Sequence, residues 1–201
     1  MTSMSETKLN SHLRETIQKY LAKHPRISFL LEILHTLLQA TVIVLIVNIF
    51  LGRARVENIS MEPTLVPGER LFVNNLAYNL GKPDYGDIVI FHNPGNPSED
   101  YIKRVIGLPG DVVRVESGTV YVNDFPLTEH YLAESPDYGG TWIVPDDSIF
   151  VLGDNRNQSS DSHAWGFVPK SYLVGKAFAI YWPFNVARIL NDPHIVNAAN
   201  R

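Results

Sequence analysis

Hydrophobic positions along the chain fall into two regimes. Residues 33–52 form an unbroken stretch of 20 residues without Asp, Glu, Lys or Arg, which ends in Val42-Ile43-Val44-Leu45-Ile46-Val47-Asn48-Ile49-Phe50-Leu51. At ~1.5 Å per residue, a helix of that length reaches about 30 Å, the thickness of a bilayer's hydrocarbon core. The pattern predicts one N-terminal transmembrane helix over residues 31–52. About thirty residues precede the run and Leu51-Gly52-Arg53-Ala54-Arg55 follows it, which favours an uncleaved anchor over a secretory signal with an early apolar core and a small-residue cleavage site. His35, Thr36, Gln39, Thr41 and Asn48 keep open a buried helix of a soluble protein. Such a helix would need apolar partners on every side.

From Val56 onward the apolar runs become short and are punctuated by turns. Asp87-Ile88-Val89-Ile90-Phe91, between Tyr85-Gly86 and Asn93-Pro94-Gly95, predicts a buried strand. Val112–Glu116 and Thr119–Val122, separated by Ser117-Gly118, predict a hairpin, because Gly suits a positive-φ turn position. Asn123-Asp124 closes the second of those strands. Further strands are expected at Arg70–Val73, Tyr101–Ile106, Ser148–Leu152 and Ala177–Trp182, with no convincing amphipathic helix and no 20–50-residue repeat. The fold class is therefore mainly β, with coiled sheets forming a partly closed barrel. Ahead of the anchor, Leu9, Leu13, Ile17, Tyr20 and Leu21 fit either an amphipathic helix ending near Pro25 or a solvated tail; residues 191–201 read as a frayed end.

Charge orients this layout. Residues 1–31 carry five Lys/Arg against two Glu, a net +3, whereas residues 53–201 carry 12 Lys/Arg against 18 Asp/Glu, a net −6. Basic residues stay on the cytoplasmic side, while a long downstream domain is translocated despite a few charges. The chain accordingly divides into a cytoplasmic basic tail (1–30), an anchor (31–52) and an extracytoplasmic β-rich domain (53–201). The lipid bilayer becomes a partner. The acidic domain argues against nucleic acid, which is bound by clustered Lys/Arg. The 201 residues, 45% hydrophobic, suffice for one core, and the absence of Cys excludes disulfides, a thiol nucleophile and thiolate metal sites.

Three segments after the anchor could carry chemistry. In Asn58-Ile59-Ser60-Met61-Glu62-Pro63-Thr64-Leu65-Val66-Pro67-Gly68 two prolines stiffen a loop, and its Ser either turns the chain or presents Oγ and N–H together. In Asp100-Tyr101-Ile102-Lys103-Arg104-Val105-Ile106 two adjacent cations sit in an apolar, strand-like run, so one should face the interior. A buried Lys loses pKa, as an amine base requires, while a snorkelling Lys keeps its ammonium in water. The polar run from Gly153 to Pro169 is either a solvent loop or a hydrogen-bonded wall behind a site.

Together, Ser60-Met61-Glu62-Pro63-Thr64-Leu65, Gly86-Asp87-Ile88-Val89-Ile90-Phe91, Tyr101 to Asp111 and Gly153 to Pro169, in this order after an anchor, resemble the sequence boxes of bacterial type I signal peptidases. The resemblance runs from about Val56 to Phe184. It implies a membrane-bound serine endopeptidase that removes signal peptides from exported preproteins after an Ala-x-Ala-like site, through an acyl-enzyme. By position, Ser60 would be the nucleophile and Lys103 the general base. Ser159 matches the serine that hydrogen-bonds the lysine, and Asp161 matches a supporting acid. Asn58 stands at the oxyanion-stabilising position, commonly Ser in the family. His163 stands where Arg is usual, which would weaken an ion pair with nearby acids or make it pH-dependent.

Val56, Ile59, Ile90 and Ile102 would line small substrate pockets or pack the core, with the substrate added as a strand alongside Asp87–Phe91 or the Asn58 segment. Ala179 to Phe184 reads as a surface resting on the bilayer or as a last core strand. The resemblance implies the plasma membrane or a thylakoid-type internal membrane, no cofactor or metal, and no obligate protein partner. Four rivals stand beside it: a Ser-His-Asp hydrolase using His163 beside Asp161, a zinc hydrolase, which lacks a His-Glu-x-x-His segment, an anchored β-domain that binds extended peptides without cutting them, and a self-cleaving SOS repressor, whose Ser/Lys pair sits on a related β-fold but whose DNA-binding domain residues 1–32 are too short to form.

Overall fold

The computed structural model describes Lys19 and residues 23–190. The expected amphipathic helix around Leu9, Leu13 and Ile17 and the frayed end at 191–201 lie outside the described residues. Two compact units divide at Asn48/Ile49.

The first unit holds all but the last two residues of helix α1, Pro25–Phe50. Proline opens it, a position where a missing N–H costs nothing. Leu30, Leu34, Leu37, Leu38 and Ile43 are each about 60% exposed or more, apart from Leu37 at 59%. Apolar side chains cover its whole circumference, as suits a lipid-facing helix rather than a one-sided amphipathic one. Among the described residues this is one helix long and apolar enough to cross a membrane, with Pro25–Leu45 as the qualifying span.

The second unit is mainly β, and among the described residues every strand pairing is antiparallel. Its strands are β1 (Leu51–Arg55), β2 (Arg70–Asn74), β3 (Ile88–Asn93), β4 (Asn96–Gly107), β5 (Val112–Glu116), β6 (Thr119–Val122), β7 (Phe125–Pro126), β8 (Gly140–Ile143), β9 (Ser148–Leu152), β10 (Val168–Pro169), β11 (Leu173–Trp182) and β12 (Arg188–Ile189). The larger sheet runs β1-β2-β11-β3-β4-β9-β10, with β12 beside β11, and the smaller runs β7-β6-β5-β8. Two four-residue helices, α2 (Ala77–Leu80) and α3 (Ser162–Trp165), complete it. The β5–β6 hairpin forms as the pattern predicts, with Ser117 (φ 48°) and Gly118 (φ 77°) both left-handed. Two positive-φ residues give the turn the twist of its flanking strands.

Strand β9 shows why an unbroken apolar run is buried on both faces: Ile149 and Val151 join one core cluster with Val89, Phe91 and Val105, and Phe150 and Leu152 join another with Ile106, Val113 and Val122. A third cluster gathers Val56, Met61, Leu65, Leu71 and Ile88 under the Ser60 segment.

The sheets do not close into a barrel, which corrects the expected partial closure. Strand β1 pairs with β2 alone, and β4 meets β9 only from Arg104 onward, so residues 96–103 of β4 keep one edge unpaired among the described residues. Three strands separate β1 from β4, yet both line one cavity. The sheet therefore curls without joining its edges. Strand β3 is paired on both sides, with β11 through Leu173–Ala177 and with β4 through Asn96–Arg104. It has no free edge for a peptide, so of the two docking strands expected from the sequence the Asp87–Phe91 alternative is removed.

Candidate active site

Ser60 sits in the middle of a single 3-10 turn, Ile59–Met61, entered from extended backbone at Asn58. The turn is pinned from below. Val56 and Met61 are 3% and 1% exposed and Leu65 is fully buried. Glu62 N–H donates to Ile59 O at 3.0 Å and Leu65 N–H to Met61 O at 2.9 Å. It is also held from the side, because Asn155 donates its backbone N–H to Ser60 O at 3.0 Å and its Nδ2 to Ile59 O at 3.3 Å. The two segments approach so closely at Gly153 that a Cβ there would lie 2.4 Å from Ser60 O and 2.2 Å from Ser159 Oγ. Only glycine fits this approach.

Strand β4 brings Lys103 to the same place. Its Nζ donates to Ser60 Oγ at 2.7 Å and to Ile102 O at 3.1 Å, and lies 5.4 Å from the centre of the Tyr101 ring. The residue is 4% exposed. Burial pushes its pKa down from 10.5 to about 8, against the opposing pull of the Asp161 and Asp154 charges. The sequence predicted one interior cation in this strand, and the structure buries two. Arg104, 1% exposed, grips Asp154 with Nε at 2.8 Å and Nη2 at 2.6 Å, donates to Gly86 O at 2.9 Å and lies over the Tyr131 ring at 4.2 Å. The alternation of faces along a strand allows both to be internal because β4 has core on each side.

The Gly153–Pro169 segment is a wall, not a solvent loop. Arg156 holds Glu129 through Nη1 at 2.8 Å and Nη2 at 2.5 Å and caps Gly153 O at 3.1 Å. Asp161, fully buried, accepts from Gly153 N–H at 2.9 Å through Oδ2 and from His163 N–H at 3.2 Å through Oδ1, and the same Oδ1 meets His163 Nδ1 at 2.7 Å. Ser159 is 9% exposed, and its Oγ has no hydrogen-bond partner among the described residues, so it makes no bond to Lys103 here. His163 turns to Asp161 and to the Tyr138 ring, stacked at 3.9 Å. The partner of Ser60 Oγ is a lysine rather than a histidine, which removes the support for a Ser-His-Asp arrangement.

In front of Ser60 and Lys103 opens a cavity of about 700 Å³. Val56, Ile59, Ile90 and Ile102, named from the sequence, all line it, as does Asn58. Sequence reading missed Met61, Val73, Tyr101, Gln158 and Ser160 along its walls, together with Asn155 behind the turn. The register of β4 carried a signal for Tyr101, two positions from Lys103; the polar run 153–169 marked the wall that holds Asn155 and Gln158 without singling out either.

Comparison with known proteins decides the family. A family model described as "Signal peptidase, peptidase S26" matches residues 30–182. The chain belongs to this signal peptidase family. Among its relatives, a probable signal peptidase I-2 of Synechocystis is 44% identical over 188 residues, covering 90% of this chain and 85% of that protein. A signal peptidase I of Leptolyngbya laminosa is 43% identical over 173 residues, covering 82% and 85%. Signal peptidase IB of Staphylococcus aureus is 38% identical over 176 residues, covering 78% and 91%. A solved signal peptidase I of Enterococcus faecalis, 36% identical, aligns with 47% of this chain and 96% of its own at a TM-score of 0.45. Signal peptidase I is a serine endopeptidase, and membership makes this chain a hydrolase that acts on signal-peptide-bearing preproteins. Among the described residues, one N-terminal helix is long and apolar enough to cross a membrane, as suits a single-pass membrane member of the family.

Proposed function

We propose that the chain cleaves signal peptides with Ser60 as nucleophile and Lys103 as general base. The observation that carries this reading is the 2.7 Å contact between Lys103 Nζ and Ser60 Oγ at a nearly fully buried amine. A serine hydroxyl needs a positioned base, and a lysine becomes one only when its ammonium is destabilised. When Lys103 is neutral the contact reverses and Ser60 O–H donates to Nζ. Ser60 Oγ then attacks the scissile carbonyl while its proton passes to Lys103, and the developing oxyanion meets the Ser60 N–H and the Asn58 amide. The first N–H groups of a helical turn have no internal acceptor, which leaves the Ser60 N–H suited to this role. Lys103 returns the proton to the leaving amine, then draws one from water as it attacks the acyl-enzyme.

Two further residues support the base. Lys103 uses two acceptors, and an ammonium has three donors. The unpartnered Oγ of Ser159, beside Gly153, makes no bond to Lys103 in this structure, and in this reading it accepts the third N–H once the side chains turn toward each other. Asp161 fixes the Gly153 backbone on which Ser159 rests.

The substrate enters as an extended strand in the gap between the β1-to-Asn58 segment and the free edge of β4, completing backbone hydrogen bonds that the open sheet lacks. Val56, Ile59, Ile90 and Ile102 narrow the cavity to small side chains, which suits cleavage after an Ala-x-Ala-like site. The basic tail (1–30) lies in the cytoplasm, the apolar run from residue 31 to the end of α1 at Phe50 anchors the chain, and the strands from β1 onward act on the outer face of a bacterial plasma membrane or a thylakoid-type membrane. The net +3 tail and net −6 domain support that orientation.

Purified full-length protein in liposomes, incubated with a preprotein, is expected to release a new N-terminus after the Ala-x-Ala site by mass spectrometry, and Ser60→Ala to release none. Normal cutting by Ser60→Ala sinks the nucleophile assignment, and precursor binding without any cut favours the peptide-binding module. The pH dependence follows from the base: only neutral Lys103 is active, so kcat/KM should fall as pH drops below a midpoint of about 8 and level off above it. A midpoint near 6, where histidines titrate, would assign the base elsewhere.

A further inference from the structure

We propose that His163 is a positioning residue for the Lys103 base: through Asp161, it sets how strongly the buried carboxylate holds the lysine in its charged form. This rests on the Ser60/Lys103 reading and goes beyond it. Asp161 has one oxygen on the Gly153 N–H, next to Ser60 O and Ser159, and the other 2.7 Å from His163 Nδ1. The carboxylate is fully buried, and the imidazole is 22% exposed at the side chain. One relay thus runs from a solvent-touching ring, through a dry carboxylate, to the backbone that cradles the nucleophile.

The surroundings make the contact between His163 and Asp161 the point where added charge reaches the site. Beside His163 on its own segment stands Asp161. From the 127–139 loop comes Tyr138, stacked on the ring, whose phenol feels the charges of Asp161, Arg156, Glu129 and Asp137, and Lys103 of β4 feels Asp161 in turn. Glu129 and Arg156 neutralise each other in a bidentate pair, and Asp137 is exposed to screening solvent. Burial, reinforced by the Asp161 charge, pushes the Tyr138 phenol well above its usual range, so it stays neutral. An imidazole ordinarily changes charge between pH 5 and 8.

The sign of the coupling follows. The Asp161 charge favours the ammonium form of Lys103. A proton on His163 offsets that charge and releases Lys103 toward its neutral form. As pH falls and protonation erodes the base, His163 counteracts the loss, and the acid limb of the rate profile is shallower than one proton would give. An enzyme with this relay keeps cutting on the acidic side of a membrane where a lysine base alone would fade.

The test compares kcat/KM against pH for wild type, His163→Arg and His163→Gln in one precursor assay. Arg places a permanent cation beside Asp161 and keeps a planar group against Tyr138; Gln keeps a hydrogen bond but no charge. The His163→Arg midpoint is expected about one pH unit below that of His163→Gln, up to tenfold in rate at a fixed pH on the acid limb. The wild-type limb should follow Arg in acid and Gln in alkali. Superimposed Arg and Gln profiles overturn the proposal. Thermal midpoints confirm folding of each variant; if either fails to fold, the wild-type limb still decides, since a slope of one overturns the relay. Ser60→Ala in the same assay separates the two readings: inactive Ser60→Ala with superimposed profiles removes only the role of His163, whereas active Ser60→Ala removes the dyad.

Discussion

Lys103→Met is expected to stop precursor cleavage, by about ten-thousand-fold or more, while making the folded domain more stable at neutral pH. The first effect is loss of the base: Ser60 Oγ keeps its place but has no acceptor for its proton, and residual activity is what binding and the oxyanion donors supply. Lys103→Arg should fail as completely, because a guanidinium does not deprotonate at working pH. The second effect comes from linkage. Lys103 ionises at about 8 in the fold and ordinarily at 10.5, so between those values the unfolded chain binds more protons and stability rises with pH. Below about 8 the buried ammonium costs the fold on the order of 3 kcal/mol, a cost that fades as pH climbs toward 10.5. Methionine fills the same volume without charge. Thermal melts at pH 7 and pH 10.5 should therefore show Lys103→Met above wild type at the lower pH and level with it at the higher. Equal melting at pH 7 would mean that the amine is solvated, and the reason for its basicity would go with it.

The same residues show how far a sequence reaches. Ser117-Gly118 between two alternating runs determines a hairpin locally, and β5 and β6 form at the expected residues. Ser148 to Leu152 reads as a strand and forms one, buried on both faces. The four boxes also located Ser60 and Lys103, which the structure brings to 2.7 Å across 43 positions of chain. What stayed hidden depends on contacts between segments far apart. Closure of the larger sheet is decided by whether β1 meets β4, a matter of long-range order and curl with no local pattern. That β3 is covered by β11 needs the pairing of residues 88–91 with residues 173–177, which no nearby residue announces. Burial of Arg104 beside Lys103 looked improbable from the strand alone; its partner, Asp154, stands 50 positions on. Local turn chemistry and period-two alternation are written in neighbours, whereas compensation of buried charge is written across the fold.

Asp154→Ala is expected to damage the fold more than any single loss in the cavity walls. Arg104 is 1% exposed and Asp154 fully buried, joined by two hydrogen bonds at 2.8 and 2.6 Å. A buried pair need not add net stability, because desolvation offsets attraction, but removing one partner strands the other charge in the core at about 3–5 kcal/mol. For a domain of this size each kcal/mol moves Tm by roughly 2–4 °C, so a fall of about 10 °C is expected. The double substitution Arg104→Met with Asp154→Leu, which leaves no unpaired charge, should recover much of that loss, and a double variant no more stable than Asp154→Ala would show that the pair is needed for packing rather than for charge balance. The pair also reaches the base. The Asp154 charge favours protonated Lys103, so in whatever fraction of Asp154→Ala stays folded, the stranded Arg104 should drive the acid limb of kcat/KM below the wild-type midpoint. The double variant removes both charges and should return the limb toward that of wild type. A limb that ignores both substitutions would confine this pair to stability, leaving Asp161 as the acid that acts on Lys103.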